Sequence, residues 1–273
     1  MKNTLFFLVL FFFFYVSLAQ HKLTKIWETD TLLKVPESVL YDGKMLYVTN
    51  IEGKEPWGKD GKGSIAKVAL DGKIIKNDWI TGLNAPKGMG LYKDKLYVAD
   101  LTEVLVIDVA KSSIVERIKI DDSQALNDIT IDTKGVVYVS DSKGKKVYQI
   151  KNGIPTLLLE NLQSPNGLLA HQDEFYVLDN GGMYQMQKDK TLKLIANGMA
   201  GNTDGIVKID NDHFIVSCWA GAIWLVNANG TKELLQDTQA QKMHTADISY
   251  DTKTKILYVP TFWKNTVIAY QFQ

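Results

Sequence analysis

Short apolar runs rich in β-branched and aromatic side chains recur along this chain, each bounded by turn residues. The clearest set reads LYVTN (Leu46–Asn50), LYVAD (Leu96–Asp100), VYVSD (Val137–Asp141), FYVLD (Phe175–Asp179), FIVSC (Phe214–Cys218) and LYVPT (Leu257–Thr261). Their composition and the flanking turns, such as Asp42-Gly43, Lys134-Gly135 and Asn229-Gly230, predict strands. Further strand patterns follow within the repeats, for example Val104–Ile107 and then Val115–Ile120. No segment sustains a helical period; only Lys232 to Thr238 reads as a possible turn of helix.

About ten residues before each run lies a polar position whose occupant changes from repeat to repeat. The segments are Pro36-Glu37-Ser38, Pro86-Lys87-Gly88, Leu126-Asn127-Asp128, Pro165-Asn166-Gly167, Thr203-Asp204-Gly205 and Thr245-Ala246-Asp247. A period near 40 residues with a strand at a fixed offset predicts radial repetition. The fold class is therefore all-β: a six-bladed β-propeller of four-stranded antiparallel blades, with the polar position opening each innermost strand. A propeller must close its ring or leave edges exposed. Lys22–Glu28 is strand-like, and Thr266–Gln273 ends the last repeat. The N-terminal strand is expected to join the final blade as its outer strand. The first repeat carries an insertion, Ile51 to Ser64, polar and glycine-rich, expected to be a surface loop of the kind that can cover a site.

Residues 1–19 read as a signal peptide: basic Lys2, the apolar run Leu5–Val16, then the small-residue stretch Ser17-Leu18-Ala19. The run is short for a membrane span, so the mature chain, 20–273, is expected to be one exported propeller domain without a span. With 31 basic and 31 acidic residues there is no net field to capture nucleic acid or an anionic membrane. The cluster Lys143 to Lys146 reads as a solvated hairpin loop. The single cysteine, Cys218, excludes an internal disulfide and reads as a buried small hydrophobe. The stretch Gly58 to Ser64 lacks the ending of a phosphate loop and no helix follows it. Asp100 and Asp141, at strand ends, read as turn-forming residues.

Symmetry brings Glu37, Lys87, Asn127, Asn166, Asp204 and Ala246 to one axis. Glu37, Asn127, Asn166 and Asp204 offer hard oxygen donors suited to Ca²⁺ or Mg²⁺. A cation would relieve the repulsion between two carboxylates on a partly desolvated axis. Lys87 offers the alternative, an ammonium paired with Glu37 or Asp204 in place of a metal. Prolines before the position stiffen the strand entry, and Gly88, Gly167 and Gly205 after it leave room for close approach.

The order Pro-Glu, Leu-Asn-Asp, Pro-Asn-Gly, Asp-Gly resembles the senescence-marker-protein/gluconolactonase/LRE-like propellers, from Pro36 to Tyr258. That resemblance implies a divalent cation, Ca²⁺ foremost, at the top of the central channel. It implies Glu37, Asn166 and Asp204 as metal ligands, Asp204 as general base, Asn127 beside the metal, and a small lactone or ester as substrate. Sugar-lactone members carry an Arg where this chain has Ala125. Lys87 and His244 are the further candidates for substrate contact, His244 lying two residues before the sixth axis position. His21, His171 and His213 read as surface residues. Two readings stand beside a lactonase-type hydrolase: a non-catalytic propeller binding a ligand or partner, as NHL-repeat proteins do, and a related propeller enzyme with other chemistry.

Overall fold

The computed structural model describes residues 21–199 and 202–273. The proposed signal peptide lies outside the described residues. Among these residues, six four-stranded antiparallel sheets form the six blades of a propeller. The innermost strands are Pro36–Tyr41, Pro86–Tyr92, Leu126–Ile131, Pro165–His171, Thr203–Lys208 and the short Ser249–Asp251. Each second strand is one of the six apolar runs, and it is buried nearly throughout, because a neighbouring blade covers each face. Outer strands such as Ser113–Lys119 are mostly exposed, which is why their pattern is more polar. Lys232–Asp237 is such an outer strand, not helix; its partly buried Glu233, Leu235 and Gln236 fit an exposed blade edge.

The core lies between blades. One cluster joins Ala99, Val104 and Val106 of the second blade to Leu126, Ile129 and Val139 of the third. Another joins Leu33, Val39, Leu46 and Val48 of the first blade to Tyr258, Val267 and Ala269 of the sixth, across the closing seam.

Ring closure follows the sequence expectation. Leu23–Glu28 pairs antiparallel with Val267–Phe272 as the outermost strand of the sixth blade. Trp27 of that strand crosses to the first blade, where its Nε1–H donates to the Leu70 carbonyl at 2.9 Å and its ring packs on Gly72. Gly72 has φ +88°, and any Cβ there would strike the indole. No helix among the described residues is long and apolar enough to cross a membrane.

The closing strand is held by this one aromatic anchor as well as by its ladder. Trp27→Ala is expected to destabilise the fold by about 2 kcal/mol, a half-buried version of a core Trp deletion. Urea denaturation should show a lower midpoint with an unchanged slope.

Candidate functional site

Five of the six inner strands share one local irregularity. Pairing with the second strand slips between Pro36 and Ser38, Pro86 and Met89, Leu126 and Ile129, Pro165 and Leu168, and Thr203 and Ile206. Each slip falls at the polar position. A bulge of this kind re-aims a side chain out of the pleat, here toward the axis. It also frees a backbone N–H. Hydroxyls from the second strand take up that donor in three blades: Thr49 Oγ1 accepts from Ser38 N at 3.0 Å, Ser140 Oγ from Asp128 N at 2.9 Å, and Ser217 Oγ from Gly205 N at 2.9 Å.

The repeated aspartates fix the approach. Asp100 accepts from the backbone of Asn84 (2.9 Å) and Ala85 (2.8 Å). Asp141 accepts from Gln124 (2.9 Å) and Ala125 (2.8 Å), and Asp179 from Gln163 (3.0 Å) and Ser164 (2.6 Å). These are the segments that lead into Lys87, Asn127 and Asn166. The aspartates thus act as turn clamps.

A cavity of about 360 Å³ opens where the polar positions converge, and Glu37, Lys87, Asn127, Asn166 and Asp204 all line it. Glu37, Lys87 and Asp204 are almost fully buried, at 4%, 3% and 3% exposure. Asn166 Nδ2 donates to Asp204 Oδ1 at 3.2 Å, and Lys87 Nζ lies 3.9 Å from Glu37 Oε1. Glu37 Oε2 is buried without a hydrogen-bond partner. Asn127 Nδ2 donates to Ser142 Oγ at 3.0 Å, and that hydroxyl in turn donates to the Pro165 carbonyl at 2.6 Å. Ala246, the sixth position, is buried and brings no polar group.

His244 is not among the lining residues. Its ring packs against Trp219 at a tilt of 33° with centroids 4.0 Å apart, and its Nδ1 is 2.8 Å from the Trp219 carbonyl. It supports an aromatic wall formed by Trp219 and the buried Phe262. The insertion Ile51–Ser64 does reach the site, bringing Pro56 and Trp57 into the lining. Lys87 Nζ sits 4.4 Å from the centroid of Trp57. Lys143 does not behave as a purely solvated loop residue; it lines the cavity, 5.2 Å from the same centroid.

Sequence reasoning missed a second layer. Asp128 and Asp247 follow the third and sixth axis positions and line a smaller cavity of about 130 Å³ farther along the inner strands. Asp128 accepts from the backbone of Leu168 (2.6 Å) and Ile129 (2.7 Å); Asp247 accepts from the Ser38 hydroxyl. The glycines explain how these carboxylates fit. A Cβ on Gly205 would lie 2.6 Å from Asp247 Oδ1, and one on Gly88 would overlap Asp128. The repeat alignment held the signal, because the position after the axis residue reads Ser38, Gly88, Asp128, Gly167, Gly205 and Asp247.

Four carboxylates therefore surround one axis with a single ammonium among them. Burial pushes Glu37 up to about 7 against the opposing pull of Lys87, and Asp247 also up to about 7. Burial, reinforced by neighbouring carboxylates, lifts Asp204 and Asp128 well above the usual range. Burial lowers Lys87, while Glu37 and Asp204 favour its charged form. The set holds more negative charge than it can carry ionised without a further cation or shared protons.

No protein-family model and no curated protein matches the sequence. Solved structures match in fold. A candidate gluconolactonase superposes with a TM-score of 0.71 at 13% identity, covering 93% of both chains. A catalytically inactive virginiamycin B lyase from Staphylococcus aureus, solved with quinupristin, gives 0.67 at 11% identity, covering 92% of this chain and 99% of that one. An auxiliary nutrient-binding protein from Bacteroides ovatus gives 0.66 at 11% identity, covering 88% and 69%. In fold, the chain resembles the gluconolactonase-type propellers. At these identities the likeness speaks for architecture, with binding proteins and enzymes on the same frame.

The buried ion pair makes a sharp test of this site. Lys87→Met leaves Glu37 without its ammonium and is expected to cost about 3 kcal/mol, as when one partner of a buried pair is removed. Adding Glu37→Gln should recover most of that loss. Equilibrium unfolding of the two single variants and the double variant measures the coupling directly. Gly205→Ala, which drives a methyl into Asp247 and the Ile248 backbone, should cost roughly 2 kcal/mol in the same assay.

Proposed function

We propose that this chain is a divalent-metal-dependent hydrolase of the lactonase type, acting on a small lactone or ester at the top of its central channel. The observation that carries the reading is the convergence of Glu37, Asn166 and Asp204 on one cavity, with Glu37 Oε2 buried and unpartnered. Two carboxylates and an amide oxygen form a hard donor set that fits Ca²⁺. Among the described residues no three His, Cys, Asp or Glu side chains are grouped to hold a metal, so the proposed set depends on the amide oxygen of Asn166 beside the two carboxylates.

Glu37, Asn166 and Asp204 would hold the ion. When bound, it supplies Lewis-acid polarisation of the substrate carbonyl and lowers the proton affinity of water. The rest is done by side chains. Asn166 orients Asp204 through its hydrogen bond to Oδ1, which leaves Oδ2 to take the proton from an attacking water. Asn127, fixed by Ser142, faces the substrate from the third blade. Trp57, Trp219 and Phe262 exclude bulk water from the cavity walls. Lys87 stays against Trp57, where the indole face accommodates its charge once Glu37 is shared with a metal. The apolar run Leu5–Val16 supports action outside the cytoplasm.

A second reading rests on the same Lys87. Its ammonium already faces Glu37, which suits a metal-free site that binds a ligand without turning it over. The fold likeness to a nutrient-binding protein is in keeping with that alternative.

Thermal melts separate the two. A cation that binds only the native state adds about 2.7 kcal/mol at a hundredfold excess over its Kd, so Ca²⁺ should raise the Tm and a chelator lower it. Asp204→Ala should remove the Ca²⁺ shift and abolish turnover across a panel of aliphatic and sugar lactones. A melt indifferent to both Ca²⁺ and chelator would leave the binding module standing.

A further inference from the structure

We propose that Lys143 and Lys87 form a receptor for a carboxylate, so that the ligand of this site is a small organic acid and its substrate a lactone bearing a free carboxylate. The identity of the substrate as a lactone rests on the function proposed above; the receptor itself does not.

The two lysines come from different blades. Lys87 opens the inner strand of the second blade, and Lys143 sits in the turn between Val137–Asp141 and Lys146–Lys151 of the third. Both line the same cavity, and both ammonium groups converge on one indole, 4.4 Å and 5.2 Å from the centroid of Trp57. Two like charges drawn to one ring repel each other, and the pair gains most when an anion enters between them.

Lys143 has no carboxylate of its own to pair with. Among the described residues none lies within salt-bridge distance of it, whereas Lys34, Lys95 and Lys208 each hold an acidic partner. The carboxylates that do line the cavity, Glu37 and Asp204, lie on the axis, and Glu37 reaches Lys87 only at 3.9 Å. Lys143 thus presents positive charge at the exposed side of the cavity, while Lys87 lies buried beside the acids. Lys143 is exposed, which places it where an incoming acid arrives first.

The remaining lining selects a small, polar ligand. The cavity, at about 360 Å³, is at the low end for a ligand pocket. Asn127, Asn180 and Asn202 offer amide donors and acceptors around it, and Trp219 and Phe262 offer one apolar wall. A five- or six-membered ring with one carboxylate arm suits this space. Ring opening by water would add a second carboxylate, so a dicarboxylate stands in for the product.

The receptor can be measured without turnover. Isothermal titration of the full-length protein with glutarate should show saturable binding that weakens with added salt. Lys143→Gln should weaken it by about tenfold, equivalent to roughly 1.4 kcal/mol. Lys143→Arg should retain most of the affinity, and Lys146→Gln, at a residue that lies over Tyr148 and does not line the cavity, should leave it unchanged. Neutral γ-butyrolactone should bind more weakly than glutarate. The proposal is overturned if glutarate fails to bind, if Lys143→Gln binds it as well as wild type, or if inorganic phosphate binds more tightly. Lysine-dependent glutarate binding without hydrolysis of any lactone acid would uphold the receptor and remove the hydrolase.

Discussion

Everything at the centre of this propeller depends on a bulge at the mouth of five of its six inner strands. In these five blades the slip in pairing turns one side chain off the sheet and toward the axis, and it does so by geometry, whatever the residue. The scaffold therefore separates two tasks. Apolar second strands and inter-blade clusters hold the ring, and the bulge positions are free to vary. That freedom explains how Glu, Lys, Asn and Asp occupy equivalent places in one molecule.

The freedom carries an electrostatic cost. Glu37, Asp128, Asp204 and Asp247 are gathered around a narrow axis, with Lys87 as the single ammonium among them. Each carboxylate survives by a different device. Asp128 takes two backbone N–H donors, Asp247 takes a hydroxyl, and Asp204 takes an amide. Glu37 has only the distant ammonium for one oxygen and nothing for the other. An unsatisfied buried oxygen is costly enough to call for a role, and Glu37 is where binding a ligand or a cation relieves most strain on the charge balance.

Blade number, strand order and the closing strand were legible because the apolar runs repeat with a fixed period, and period survives when individual residues change. The convergence of Glu37, Lys87, Asn127, Asn166 and Asp204 was legible for the same reason. What escaped were contributions that do not share that register. Trp57 comes from an insertion unique to the first blade, and nothing in its sequence says which way the loop folds. Lys143 looked like part of a charged turn, and only the packing of that turn beside Trp57 distinguishes it from Lys145 and Lys146. Ser142, Asn180 and Trp219 did have a signal, since each directly follows the repeated second strand. His244 misled because proximity in sequence to the axis position does not fix direction; its ring turns to Trp219 instead.

Lys87 is the residue on which the two functional readings divide. An ammonium and a divalent cation are alternative counter-ions for Glu37, but they differ in what they leave behind. With Lys87 alone the cavity floor is neutralised locally and has little left to polarise a carbonyl. Were a metal held by Glu37, Asn166 and Asp204, as proposed, Glu37 would be shared between it and Lys87, and the cavity as a whole would be more positive. The same change that would activate water would then favour an anionic ligand near Lys87 and Lys143. Metal and acid binding would be coupled, each raising the affinity for the other, because thermodynamic linkage is reciprocal. On the proposed reading, such a site would hold an acid weakly without metal and more tightly with it, and binder and enzyme would be two charge states of one arrangement.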